Sequence, residues 1–416
     1  MSERRVRPSR ARARRGAAVA ATLALSASLL AACDSSGGAT AEGPDGAQTT
    51  AAAGESTPAA RIEVNVRGGA RAVPVDRVVE LDVTDGELRS VALAPAGGPT
   101  EEAGPVEGAI AEDGTTWRAD DRLEPGTDYL LRARVEDAAG ATARRTVRFR
   151  TADLTLDQQT YPSVAPLDGE TVGVGMPVIV TFDVPVTDRA SIERHLSVDT
   201  SPAQPGTWHW MSDNEVHYRP KKYWKPGTEV SVDVDVNSVP AGGGIYGQMS
   251  RTVDFTVGDA HVYRVDAQAH HMKVFSNGKL LRTIPVTTGK PGFTTRSGTK
   301  VIIEKFDVKR MNSETVGIAA GSAEAYDIDD VQWAMRLTYS GEFIHAAPWS
   351  VGSQGYANVS HGCTGLSTAD AGWLYAMSRR GDVVEYVGTD RQMTLDNGYG
   401  DWNASWGEYR AGSALG

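Results

Sequence analysis

From Arg61 onward, apolar and polar residues alternate in short runs. Arg61-Ile-Glu-Val-Asn-Val66 is one such run and Val178-Ile-Val-Thr-Phe-Asp-Val184 another. In Glu229-Val-Ser-Val-Asp-Val-Asp-Val236 the valines fall on one face and the acids on the other. Successive side chains of a strand point to opposite faces, so a period of two predicts half-buried strands. Turn residues recur between the runs, which predicts β-sandwiches. A repeat sharpens this. Glu124-Pro-Gly-Thr127 returns as Lys225-Pro-Gly-Thr228, 101 residues later. Each is followed by a related strand, Arg145-Thr-Val-Arg-Phe149 and Arg251-Thr-Val-Asp-Phe255. A repeat near 100 residues is the size of an immunoglobulin-like sandwich. No Cys…Trp…Cys pattern occurs, so these are not antibody-type domains. The expected sandwiches span 61–152 and 153–258, with a spacer role. Trp208, Trp210, Tyr218, Tyr223 and Trp224 are expected in sandwich core or interdomain packing, not in a ligand platform.

After Asp259 the texture changes. His271-Met-Lys-Val-Phe-Ser-Asn-Gly-Lys-Leu-Leu-Arg-Thr-Ile284 reads as two strands around an Asn-Gly turn, a strong hairpin signal. Val301-Ile-Ile-Glu-Lys305 predicts a further strand. Residues 307–330 look irregular, and a loop of that length usually has a task. β patterning returns from Trp333 to Ile344 and delivers His345. Ser367-Thr-Ala-Asp370 predicts a helix N-cap. The helix is expected to run to about Arg380, packing Leu374, Tyr375 and Met377, with Gly381 as its stop. The third domain is placed at 259–389. Residues 390–416 carry Tyr399, Trp402, Trp406 and Tyr409 and are expected to pack back onto it.

The N-terminal pattern differs. Seven arginines lie before Gly16, and an apolar stretch from Ala17 to Ala32 leads to Cys33. A basic stretch followed by a short apolar one reads as a secretory signal peptide over 1–32. The small residues before Cys33 resemble a bacterial lipobox, in which Cys33 is lipidated and anchors the exported chain to the cell membrane, facing the wall. The alternative is an ordinary signal peptide with Cys33 incidental. Residues 33–60 are poor in large apolar side chains and read as a flexible tether.

Composition changes the picture in two ways. The chain's 416 residues include only two cysteines, Cys33 and Cys363, which excludes a disulfide scaffold and a zinc site built on four cysteines or on a cysteine pair with two histidines. The net charge is −11, and without residues 1–32 it becomes −17, from 35 basic and 52 acidic residues. That acidity argues against nucleic acid as a partner.

The candidate chemistry lies between His345 and Cys363. Fourteen residues separate His345 from the string Ser360-His361-Gly362-Cys363. A thiolate is the nucleophilic form of cysteine, and a nearby imidazole is suited to take its proton at neutral pH. Gly362 permits a tight turn, and backbone N–H groups there suit an oxyanion hole. Either histidine could be the base. A metal site on His345, His361 and Cys363 competes with this reading, as does a buried inert cysteine.

These residues resemble the L,D-transpeptidases with a YkuD-type catalytic domain, specifically the actinobacterial lipoprotein kind with two immunoglobulin-like domains before it. The resemblance rests on His345…Ser360-His361-Gly362-Cys363, on Tyr339-Ser-Gly-Glu-Phe-Ile-His-Ala-Ala-Pro-Trp-Ser-Val-Gly352, on Arg380-Gly-Asp-Val-Val384 and on Gly400-Asp-Trp-Asn403 with Trp406. It implies a mainly β chain: two sandwiches, then a β-rich catalytic domain with a short helix after the cysteine. It implies Cys363 as acyl-accepting nucleophile and His345 as base and acid, oriented by a carbonyl near Ala346. Ser360, His361 and Gly362 would shape the nucleophile turn. The N–H groups of Gly362 and Cys363 would bind the oxyanion, with the Tyr326 hydroxyl assisting. Met311 and Trp349 would line the cleft under a lid of roughly 307–330. The family commonly has Asn two residues after the cysteine; here Gly365 stands there and removes a side-chain donor. The implied activity joins peptidoglycan stem peptides, donor and acceptor, by a 3→3 cross-link with release of D-alanine. Trimming of tetrapeptide stems by an L,D-carboxypeptidase and a non-catalytic wall-binding spacer are the alternatives. No metal or organic cofactor is implied, and carbapenem-type β-lactams would acylate the cysteine.

Overall fold

A computed structural model describes residues 59–100 and 103–416; Cys33, the leader and most of the tether lie outside the described residues. The chain is mainly β, and its sheets follow chain order as a first sandwich, a second sandwich and a third part, called the third domain below.

The first sandwich sets Arg61–Val64, Glu80–Thr84, Thr116–Ala119 and Gly108–Ile110 against Gly86–Pro95, Asp128–Asp137 and Thr142–Arg150. Alternation explains the choice of faces. In Asp128–Asp137, Tyr129, Leu131, Ala133 and Val135 are buried together with Leu81, Leu93 and Trp117. The second sandwich pairs the sheet Thr171–Val172, Arg251–Val257, Glu229–Val234, Leu196–Ser201 with the sheet Gly206–Ser212, Glu215–Pro220, Val178–Phe182, Pro162–Ala165. Val230, Val232 and Val234 point into its core, as the alternation requires. Trp208, Trp210, Tyr218 and Trp224 belong to that core, while half-buried Tyr223 meets Trp402 edge-on at 4.6 Å.

The third domain begins with β1 (His261–Asp266), β2 (His271–Ser276) and β3 (Lys279–Pro285). Asn277 and Gly278 turn the β2–β3 hairpin with φ of +46° and +78°. β4 (Gly298–Val301) joins their sheet, but β5 (Glu304–Asn312) joins another. The single strand expected over Val301–Lys305 is therefore two strands, broken at Ile302–Ile303 where the chain changes sheets. β5 pairs with β6 (Asp327–Arg336) as a long antiparallel hairpin. The stretch expected to be irregular over 307–330 is thus largely this hairpin, with its turn at 313–326. Its strands read as loop because both faces are partly exposed, which erases the alternation. β7 (Phe343–Ala346) pairs with β6 and, in parallel, with β8 (Thr364–Leu366). Ser367 caps helix α1 (Thr368–Met377) by accepting from the Asp370 N–H. α1 stops three residues before the expected Arg380, and Gly381 turns the chain at φ +93° into β9 (Val383–Val387). The core between the two sheets and α1 includes Tyr263, Val265, Met272, Ile344, Leu366 and Leu374.

The junctions differ in kind. The two sandwiches meet through polar groups: the Arg122 guanidinium donates to the carbonyls of Asn237 (2.7 Å) and Asp235 (2.9 Å). The second sandwich and third domain share an apolar core that includes Val301, Ile303, Val383 and Tyr399. The C-terminal segment, expected against the third domain, packs on both neighbours: its first part bonds the third domain, where the Met393 N–H donates to the Ser297 carbonyl and the Ser297 N–H to the Arg391 carbonyl (2.7 Å each), and its last part lies on the second sandwich. α2 (Trp406–Arg410) stacks Tyr409 on His209 at 4.7 Å, and the Arg219 guanidinium lies over Trp402, Trp406 and Tyr409. Asn403 reaches back to β4, accepting from Thr299 N–H and donating to Thr299 O, and the Ser340 N–H donates to Asn397 Oδ1 at 2.9 Å. The aromatic residues face sandwich positions that carry complementary rings and a cation, so burial is greater there.

Candidate active site

β7 carries His345, and β8 begins one residue after Cys363. Parallel pairing sets His345 opposite Gly365, which brings the histidine and the cysteine to one end of the sheet. The Ser360 hydroxyl ties the turn that ends in Cys363. Ser360 Oγ donates to the Cys363 carbonyl (2.6 Å) and accepts from the Gly362 N–H (3.1 Å). Gly362 has φ +123°, a region that L side chains rarely adopt, and its carbonyl accepts from Thr295 Oγ1 at 2.8 Å. The Gly362 N–H is therefore already engaged, which corrects its expected place in an oxyanion hole. Among the described residues, no hydrogen bond engages the Cys363 N–H.

His345 is buried, and its Nδ1 donates to the Ala346 carbonyl at 2.8 Å. A carbonyl only accepts, so this bond fixes the proton on Nδ1 and leaves Nε2 unprotonated to receive one. Burial lowers the His345 pKa, with the Ala346 bond opposing. Burial pushes the Cys363 thiol up to about 12. The thiol donates to the Gly341 carbonyl at 3.6 Å.

A cavity of about 330 Å³ brings together His345, Ser360, His361, Cys363, Tyr326, Met311, Trp349 and Gly365. Gly362, within the turn, and Ala346 do not line it. Ala346 has a different place. It is buried, it orients His345 through its carbonyl, and Ala347 lines the cavity in its stead. A second cavity of about 240 Å³ shares Cys363, Tyr326 and Met311 and continues to Tyr339, Gly341 and Arg336. Cys363 thus faces two spaces beneath the β5–β6 hairpin. Burial raises the Tyr326 hydroxyl to about 12, so it is a donor at neutral pH. His361 turns away from a base's role: its Nε2 meets Glu324 Oε2 at 2.7 Å, and its ring sits between Phe293 and Tyr326. Lys290 Nζ meets the same Glu324 oxygen at 2.5 Å, tying the hairpin's turn to the nucleophile turn. Among the described residues, no group of three or more His, Cys, Asp or Glu gathers as a metal site.

Charged groups behind the turn escape the sequence reading. Glu342 is buried and binds both Lys300 and Arg296. The available signal was a lysine and a glutamate inside otherwise apolar strand stretches, Lys300-Val-Ile-Ile and Glu342-Phe-Ile. Partners so far apart in sequence carry no local pattern.

The comparisons with known proteins agree with this architecture. The bacterial Ig domain family matches residues 70–240 and the L,D-transpeptidase catalytic domain family matches residues 260–385. L,D-transpeptidase 2 of Mycobacterium tuberculosis (strain CDC 1551 / Oshkosh) is 36% identical over 355 residues, covering 85% of each chain. L,D-transpeptidase 5 of Mycobacterium tuberculosis (strain ATCC 25618 / H37Rv) is 31% identical over 366 residues, covering 86% of this chain and 78% of its own. A solved structure of the L,D-transpeptidase LdtMt1 in complex with imipenem is 40% identical, covering 54% of this chain and 97% of its own with a TM-score of 0.49.

Proposed function

This chain belongs to the L,D-transpeptidase family, and on that premise we propose that it cross-links peptidoglycan stem peptides 3→3 through a Cys363 acyl-enzyme. The observation that carries the proposal is the convergence of Cys363 with a histidine whose tautomer is fixed for proton acceptance. The thiol proton passes to His345 Nε2 as Sγ attacks the carbonyl of the third, diamino-acid residue of a tetrapeptide stem. The Cys363 N–H and the Tyr326 hydroxyl are the donors proposed for the oxyanion. The intermediate collapses by breaking the carbon–nitrogen bond. The D-alanine nitrogen leaves with the proton from His345, and a thioester remains. The side-chain amine of a second stem then gives its proton to His345 and attacks the thioester. The carbon–sulfur bond breaks, and the imidazolium returns the proton to sulfur.

Two cavities sharing the sulfur fit one acyl donor and one acceptor better than they fit hydrolysis. Incubation of the full chain with a disaccharide-tetrapeptide separates these outcomes by product mass. Dimers lacking one D-alanine are expected, and tripeptide alone would reassign the chain as a carboxypeptidase. We further propose that Cys33 is lipidated and holds the exported enzyme on the membrane. Cys33→Ala is then expected to release it to the soluble fraction, and unchanged membrane retention would contradict that anchor.

A further inference from the structure

One buried charged cluster has no part in those steps. Lys300 is fully buried, Glu342 is 4% exposed, and the Arg296 side chain is 14% exposed. Lys300 Nζ binds Glu342 Oε2, while Glu342 Oε1 accepts from the Arg296 guanidinium (2.7 Å) and the Arg296 N–H (3.2 Å). The ammonium also lies 3.7 Å from the centre of the Tyr386 ring, whose hydroxyl is 2.6 Å from Thr364 Oγ1. Thr364 follows the nucleophile directly. On the other side, the Cβ position of Gly362 is 3.7 Å from Glu342 Cγ. The cluster therefore backs the whole Gly362–Thr364 turn.

Stability is a weak reason for such a cluster. Desolvating two charges costs several kcal/mol per ion on the order-of-magnitude scale, and apolar replacements of buried pairs are often neutral or stabilising. Lysine is almost never fully buried unless paired. Burial lowers Lys300 to about 8, and the Glu342 carboxylate bound to it opposes that fall and favours the ammonium. At the sulfur the two charges act in opposite senses: Glu342 disfavours the thiolate and Lys300 favours it.

Taking Cys363 as the nucleophile, we propose that Lys300 is a positioning residue for acyl transfer: held by Glu342 and Tyr386 behind the turn, its ammonium stabilises the negative charge that appears on Sγ when the thiol gives up its proton. Glu342 keeps the ammonium charged and in place. The other titratable groups facing the sulfur are His345, His361 and Tyr326 in one cavity and Lys309, Arg310, Arg336 and Tyr339 in the other. Facing Lys300 are Glu342, Arg296, Tyr386 and Cys363 itself.

The test has two readouts on the full chain. An imipenem adduct on wild-type Cys363, read by peptide mass, tests the nucleophile on which the proposal rests; its absence would overturn that premise. The rate of Cys363 alkylation by iodoacetamide against pH tests Lys300. Lys300→Met is expected to slow alkylation about tenfold at every pH along the rising limb, displacing the limb in parallel by about one pH unit. The double variant Lys300→Met/Glu342→Gln, which removes both charges, is expected to return it toward wild type. Lys300→Gln keeps a donor for Glu342 without the charge and should behave as Lys300→Met if the latter misfolds. An unchanged limb in a folded Lys300 variant would overturn the proposal, as would failure of both variants to fold, which assigns the pair to structure.

Discussion

At the scale of single residues, the proposed acyl transfer turns on which imidazole nitrogen holds a proton. The Ala346 carbonyl decides this for His345, and Glu324 removes His361 from contention. His345→Gln is therefore expected to lower kcat by about 10²–10⁴-fold, the usual contribution of a general base, while His361→Gln costs much less. Burial lowers the His345 pKa, so the base stays neutral into mildly acidic solution. The acid limb of kcat/KM should accordingly fall below the ordinary histidine value of about 6.5 and vanish in His345→Gln. Steady-state rates across pH 5–8 check both expectations. Much of this was legible beforehand. Cys363 and His345 stand in a short string whose chemistry is read from residue type and order. The Lys300–Glu342 pair was not, because 42 residues separate its members and only sheet pairing brings them together.

At the scale of elements, the pairing of β7 with β8 is governed by close approach. A Cβ at Gly365 would lie 2.9 Å from Ala347 Cβ and 3.0 Å from Thr287 Cγ2. Neither contact is the far end of a flexible side chain. The glycine that replaces the family's common asparagine is thus matched to its neighbours and is no simple loss. Gly365→Asn is expected to destabilise the full chain by about 1–3 kcal/mol through overpacking, seen as a lower Tm. An unchanged Tm would show that the strand has room to shift. Strands with one wet face, such as Glu229–Val234, announced themselves by alternation. The β5–β6 hairpin did not, because it projects from the sheet with both faces partly exposed and its pattern resembles a loop.

At the scale of the molecule, the C-terminal segment joins the second sandwich through buried charge. His217 Nδ1 meets Asp401 at 2.9 Å, and Asp401 also accepts from the Tyr409 hydroxyl at 2.7 Å. Burial alone would lower His217, but Asp401 and Glu215 outweigh it and raise it to about 9. A histidine whose folded pKa exceeds its unfolded value of about 6.5 stabilises fully below that pH and loses its contribution as pH rises through about 9. The Tm of the full chain should therefore decline between pH 6.5 and 9. Asp401→Asn should flatten that decline and cost about 3 kcal/mol, since it removes the buried one of the histidine's two charge partners and leaves only the partly exposed Glu215. The aromatic residues of 390–416 signalled burial, but their choice of the second sandwich depends on His209, His217 and Arg219, which no local pattern marks. The proposed chemistry rests on Cys363 and His345 sharing one cavity. The most direct test of that arrangement is the intact mass of wild-type and Cys363→Ala full chains during turnover of a disaccharide-tetrapeptide. The account predicts a transient adduct of the donor minus D-alanine on wild-type Cys363, with 3→3 dimers following, and neither in Cys363→Ala. Dimers formed by Cys363→Ala at the wild-type rate would contradict it.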